Sequence, residues 1–307
     1  MNKKVLIAGG SGFSGKVISA HLLTLGYQVT WLTRKSTLAS IDTKSPYRVI
    51  TWEDLPTLQN DSYDVIINLC GANILSHPWT KKRKQILLSS RVGPTQNLID
   101  YIQQCPPSHQ PALWINASAV GIYDQLNQDC DEHSVSHLAE KNNFLKSLAT
   151  AWENKFYSFS NRGKTRLVSA RFGVILDKAG GMLKPCSLAF YLGLGGRLGS
   201  GKQIFPWISL HDVCRAIEFI ISSPIAGPVN FTSPDFVTNQ EFTNALAKAL
   251  RRLAIFPVPA FILKLILGGR SDLLLKGCRA KPKKLLDAGF TFEHSNIKQF
   301  LTAHFTK

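Results

Sequence analysis

Residues 9–17, GGSGFSGKV, constrain this chain more than any other stretch. Glycines at such density mark a place where the backbone turns sharply or approaches another group closely. Before them, KKVLIAG is a short apolar, β-branched run fit for a buried strand. After them, FSGKVISAHLLTLG puts Val17, Ile18, Leu22, Leu23 and Leu25 at helical spacing and stops at Gly26. YQVTWLTR then reads as a second strand. The pattern predicts a βαβ unit of about 30 residues with its glycines at the first strand-to-helix turn, the seed of a doubly wound parallel α/β sheet.

The same letters admit two phosphate-binding parses. From Gly10 they read G-x-x-x-x-G-K, the frame of a nucleoside-triphosphate loop; from Gly9 they read G-x-x-G-x-x-G, close to a dinucleotide turn. A triphosphate loop needs a Ser or Thr after its Lys to ligate magnesium, and here that position is Val17. It also needs an Asp at the end of a later apolar strand, yet DVIINLC begins with Asp64 and has Asn68 near its end. Both metal requirements fail, so the dinucleotide parse is retained.

The second strand decides between cofactors. NAD sites place an acid at its end to bond the ribose 2′-hydroxyl. This chain has Thr33, Arg34, Lys35 and Ser36 there, with no acid before Asp42. A carboxylate would repel a 2′-phosphate, whereas a guanidinium matches it with a planar fork of donors. NADP(H) is therefore the expected cofactor, with Arg34 as its main 2′-phosphate ligand and Thr33 and Ser36 assisting.

Composition narrows the class further. A 307-residue chain with 44% hydrophobic and 18% charged residues can bury a large core. No apolar run approaches a membrane span, and the opening MNKKVLIAGG loses its apolar run too early for a secretory leader. A cytoplasmic protein with no membrane partner is expected. The six cysteines are scattered without a C-x-x-C pair, as in a reduced protein. The net charge of +16 concentrates in TKKRK (80–84) and KGCRAKPKK (276–284). No aromatic interleaving accompanies either run, so nucleic acid is disfavoured and a solvated basic face preferred.

The glycine turn, AGGSGFSG, resembles the T-G-G-x-G-F-I-G fingerprint of extended short-chain dehydrogenases/reductases, departing at Ala8 and Ser14. NLCGANI (68–74), WT..RK...L.SSRV (79–92), NASAVGIY (116–123), RFGVILDKAGGML (171–183), FYLGLGGRLGSGKQIFPWISLHD (190–212) and GPVNFTSPDFVTNQEFTNALAKAL (227–250) resemble its "epimerase family" branch, which ends in a short domain of unknown function. The resemblance implies a Rossmann core over 1–176, rejoined by 206–232, with a mainly substrate-side domain over 177–307. It also implies that Gly9, Gly12 and Gly15 shape the turn. Phe13 and Ser14 would offer backbone N–H groups to the pyrophosphate at the helix N-terminus. Leu69, Cys70 and Gly71 would border the adenine-side ribose and pyrophosphate. Arg91 would reach the phosphates, and Arg171, at the start of an apolar strand, is a weaker candidate.

The catalytic pattern of that superfamily is broken here. Its Tyr carries a Lys four residues on, whose charge lowers a phenol pKa of about 10. No tyrosine of this chain has that partner, and NNFLKSLATAWE has Phe144 and Leu148 at the expected places. Ser118 matches the superfamily's substrate-positioning hydroxyl, and Tyr123, five residues on along the adjoining loop, is the tyrosine placed near the nicotinamide and the candidate proton donor. The expectation is an NADP(H)-dependent oxidoreductase or epimerase on a small, polar or anionic substrate, or else an NADP(H)-sensing protein without turnover.

The remaining features have plainer readings. His133 and His137 lie beside Asp131 and Glu132, but they lack a zinc-site order. Asp212 reads as the cap of the helix after it. GLGGRLGSGKQ (193–203) reads as a mobile loop closing over the site, with Lys202 and Gln203 able to bind an anion. FPVPAFILKLILGG (256–269) reads as a helix that covers the cleft or forms a homodimer contact.

Overall fold

The computed structural model describes residues 3–34, 46–123, 128–134, 143–159 and 165–305. β1 (Lys4–Ala8), α1 (Phe13–Thr24) and β2 (Gln28–Thr33) make the predicted βαβ unit around the glycine turn. β3 (Arg48–Thr51), β4 (Val65–Asn68), α2 (Lys81–Gln104) and β5 (Leu113–Ala119) follow. Next come β6 (Asp129–Cys130), α3 (Phe144–Tyr157), β7 (Arg166–Phe172), β8 (Val174–Asp177) and β9 (Gly180–Gly181). α4 (Leu183–Tyr191), β10 (Trp207–Ser209), α5 (Leu210–Ser222) and β11 (Gly227–Phe231) lead to the C-terminal part. That part holds α6 (Asn239–Leu250), α7 (Ala260–Leu267), α8 (Asp272–Leu275), β12 (Arg279–Ala280), α9 (Lys283–Asp287) and α10 (Ile297–Phe305).

Seven strands form the central sheet in the order β11-β7-β5-β4-β1-β2-β3, and every pairing in it is parallel. The order reverses beside β1, so the crevice of this doubly wound sheet opens where β1 and β4 diverge at their carboxyl ends. Strand alternation splits the core between two faces. Val5 and Ile7 pack on one side with Ile18, Leu22 and Ile217; Leu6 and Ala8 pack on the other with Leu98, Ile102 and Trp114. A third cluster, including Trp207, Phe242, Leu246 and Phe300, joins the C-terminal helices to a small sheet of β8, β9 and β10.

Two expectations are corrected at this level. Ser209, not Asp212, caps α5, accepting from the Asp212 backbone N–H. Asp212 sits within the first turn, fully buried, and accepts from the backbone N–H groups of Glu293 and His294, so it ties the C-terminal segment to the core. The loop at 193–203 is not a free lid. Leu198 bridges to Val258, Gly199 donates to the Val258 carbonyl, and a Cβ on Gly196 would lie 1.8 Å from the Phe256 carbonyl oxygen. Gly196 is there because two backbones touch. Among the described residues, no helix is long and apolar enough to cross a membrane.

Candidate cofactor and substrate site

The glycine turn is built by close backbone approach. Gly9 has φ +84°, a left-handed conformation that favours glycine, and its missing Cβ would press on the Leu69 carbonyl. A Cβ on Gly15 would lie 2.4 Å from the Gly9 oxygen, and one on Gly10 would lie 2.3 Å from the Trp31 ring. Trp31 then donates from its indole to Ser19 Oγ, which donates to the Gly15 carbonyl, both at 2.7 Å. This clamp was not read from the sequence; the one available signal was an aromatic residue on a strand facing a glycine turn. Gly12 caps α1 with no side-chain hydrogen bond, so Phe13 and Ser14 begin a helix whose first donors have no side-chain partner. Phe13 itself packs against Gly180 and Gly181.

The second wall follows β4. Asn68, fully buried, donates to Asn116 Oδ1 at 2.7 Å and to Thr95 Oγ1 at 3.2 Å, while its own Oδ1 accepts from the Cys70 N–H. This network fixes Leu69, Cys70 and Gly71 without occupying their outward faces. Gly71 abuts the Arg91 guanidinium, whose carbon would lie 3.2 Å from an added Cβ. Arg91 donates to the Ala72 and Leu87 carbonyls and lies 5.2 Å over the Trp152 ring. Among the described residues no carboxylate pairs with it, and burial, with Arg83 nearby, lowers its pKa to about 10. Thr33 is buried at the end of β2, and Arg34, next to it, is exposed. Arg34 follows the carboxyl end of β2, which pairs with β1, and so stands at this edge of the crevice; burial pushes the Cys70 thiol up to about 12, with the Arg34 charge acting in the opposite sense. Ser36 lies outside the described residues.

Arg171 is not in this group. It lies near the end of β7, beside Ser118 in register, and its guanidinium is committed to Glu153: Nε to Oε1 and Nη2 to Oε2, both 2.8 Å. Its third arm, Nη1, donates to the Tyr123 hydroxyl at 2.8 Å. A cation so paired is not available to a phosphate; the apolar run around it had obscured that a buried Arg needs a buried acid. Glu153, on α3, was missed because its partners come from other elements. It also accepts from Ser118 Oγ at 2.7 Å and Ser169 Oγ at 2.9 Å.

Ser118 and Tyr123 are linked through Glu153 and Arg171. Ser118 and Tyr123 both line a cavity of about 490 Å³, a size usual for small-molecule sites. Its other walls are mostly apolar, including Leu148, Phe172, Leu198, Phe205, Leu273 and Leu274, and Arg91 forms part of one side. Tyr123 is 5% exposed and donates to Asn230 Oδ1 at 2.8 Å. Burial raises its phenol pKa further above 10, against the pull of Arg171. Gln203, expected to bind an anion, instead donates to the Leu198 and Leu274 carbonyls and so closes the wall. Lys202 is exposed outside it. His133 is described but His137 is not, and no metal-binding cluster occurs among the described residues.

Comparison with known proteins agrees with this architecture. The profile of the NAD dependent epimerase/dehydratase family matches residues 5–232, and that of a domain of unknown function, DUF1731, matches residues 258–303. An epimerase family protein of Mycobacterium bovis is 37% identical over 98% of this chain and 97% of its own length. The mouse epimerase family protein SDR39U1 is 32% identical over 97% of this chain and 98% of its own. A crystal structure of the human protein of that name with NADPH is 31% identical, covers 98% of each chain and superposes with a TM-score of 0.88.

Proposed function

The chain belongs to the NAD dependent epimerase/dehydratase family, and on that premise we propose that it is an NADP(H)-dependent reductase of small, largely apolar carbonyl compounds. The glycine turn, the uncapped start of α1, Arg34 and Arg91, which has no acidic partner among the described residues, fit a dinucleotide with an extra phosphate. The NADPH bound to the human relative supports the same choice. When bound, NADP(H) would supply hydride to an electrophilic carbon.

The chain's own residues then define the rest. The observation that carries the reading is the cavity in which Ser118 and Tyr123 converge beside Arg91. Apolar walls exclude water and leave the two hydroxyls as orienting groups for a substrate oxygen. Tyr123 keeps its proton, because burial raises its pKa, so it is not a base; to donate to a substrate oxygen it must exchange its bond to Asn230, as Ser118 must exchange its bond to Glu153. That favours reduction of a carbonyl over oxidation of an alcohol. The lining also revises the expected polar or anionic substrate: its cations among the described residues are Arg91 and Lys276, and Lys276 is paired with Asp272 at 2.9 Å. A nucleoside-diphosphate sugar would find little to balance its charge there.

A second reading, an NADP(H)-binding protein without turnover, is favoured by Phe144 and Leu148 standing where a Tyr and a Lys would be needed. NADPH oxidation across a panel of apolar aldehydes and ketones separates the two. The first reading expects turnover that Ser118→Ala reduces about tenfold or more. Tight NADPH binding without turnover of any of them would support the second.

A further inference from the structure

Two segments that meet at an outer face of the C-terminal part have an unusual composition. Residues 178–211 and 242–271 contain nine lysines and arginines and no aspartate or glutamate. They lie together: Leu198 bridges Val258, the Gly196 backbone touches Phe256, and Arg252 sits 5.7 Å over the Tyr191 ring. Leu192, Leu194, Phe256, Phe261, Leu265 and Ile266 are all exposed on this face, Phe261 by 70% and Leu265 by 83%. α7 turns Leu263 inward, and Phe261 and Leu265, one helical turn apart, outward, with Lys264 at their flank. Among the described residues, no ion pair neutralises any of the nine cations.

We propose that this face docks the protein on an anionic lipid surface, with Phe261 and Leu265 inserted among the acyl chains and Lys264, Arg251 and Arg252 at headgroup level. The combination selects the occupant. A second copy of the chain in a two-fold contact would bring the same uncompensated cations against themselves. A polyanion such as nucleic acid would balance the charge but leave the large apolar side chains in water. A bilayer rich in anionic headgroups satisfies both at once. The sequence gives no membrane span, and none is needed, because the face lies on the surface and does not cross it. The inference does not depend on the proposed reductase activity.

The test is flotation of the full chain with vesicles of phosphatidylcholine alone or with added phosphatidylglycerol. Binding is expected to be about tenfold stronger to the anionic vesicles, and the double variant Phe261→Ser/Leu265→Ser should lose most of it. Arg252→Glu/Lys264→Glu should also lose most of it. Lys3→Glu/Lys4→Glu, at the amino end of β1, changes net charge equally and should stay within about twofold of the parent. Far-ultraviolet circular dichroism and NADPH affinity should match the parent in every variant, which separates this inference from the reading of the cofactor site. Absence of vesicle binding, equal binding to both vesicles, or an equal loss in the Lys3/Lys4 variant overturns the proposal. So does a solution dimer that Phe261→Ser/Leu265→Ser dissolves.

Discussion

The crevice at the glycine turn and the floor of the cavity are both built from strand ends, yet they differ in how their polar groups are spent. At the turn, buried side chains hold the backbone from behind: Trp31 through Ser19, and Asn68 through Cys70. The helix start and the guanidinium groups of Arg34 and Arg91 are left without acidic partners among the described residues. On the cavity floor, Ser118, Glu153, Arg171, Tyr123 and Asn230 satisfy one another. The first region is prepared for an outside anion; the second is complete without a ligand. Binding and chemistry therefore depend on different physics, and substitutions should separate them.

The largest effect should come from the floor. Glu153→Gln leaves Arg171 as a buried, unbalanced charge and should cost about 3–5 kcal/mol of stability in urea denaturation. NADPH affinity of the fraction that remains folded should change little. Gly15→Val comes next, since its first added carbon already meets the Gly9 carbonyl oxygen at 2.4 Å. It should cost about 3 kcal/mol and abolish NADPH binding together, because turn and helix share that contact. Loss of binding without loss of stability would show that the turn is less rigid than the comparison requires.

Arg34→Ala should do the reverse of Glu153→Gln. By calorimetry, NADPH affinity should fall about 10- to 100-fold with NADH affinity unchanged, and stability should stay within about 0.5 kcal/mol. Equal losses for both dinucleotides would move the 2′-phosphate contact elsewhere.

The smallest effect concerns the cavity wall. Cys278 is 5% exposed, lines the cavity, and burial pushes its thiol up to about 12, with Cys130 acting in the same direction. An unfolded thiol ionises from about 8.5, so the unfolded chain releases this proton first. The contribution is whole below that pH and is lost progressively as pH rises toward 12; by pH 9 the loss is still only on the order of 0.5–1 kcal/mol. Under reducing conditions, Cys278→Ala should lessen that alkaline slope, to which the Cys70 and Cys214 thiols, raised by burial too, also contribute; an unchanged slope would mean that water reaches the Cys278 thiol.

How much of this was legible followed from distance along the chain. The βαβ unit could be read because strand, glycines and helix are contiguous, and the apolar spacing of Ile18 and Leu22 is itself the core face. The choice of Arg34 over an acid was legible for the same reason. The floor was not: Ser118 and Tyr123 find partners 35 and 107 residues away, and nothing local announces Glu153 or Asn230. The loop at 193–203 misled in the opposite way. Its glycines read as freedom, whereas Gly196 is fixed by the passing backbone at Phe256. Glycine content alone does not separate a hinge from a crossing of two chains.

The packing of Gly15 on the Gly9 carbonyl and of Gly10 under Trp31 has a consequence for descent. These residues are demanded by the shape of the protein before any nucleotide arrives. A lineage that had abandoned all chemistry would still be held to the same letters, because drifting from them would cost the molecule its form. The fingerprint by itself thus testifies to architecture, and evidence for a living reaction has to be sought at the other end of the crevice.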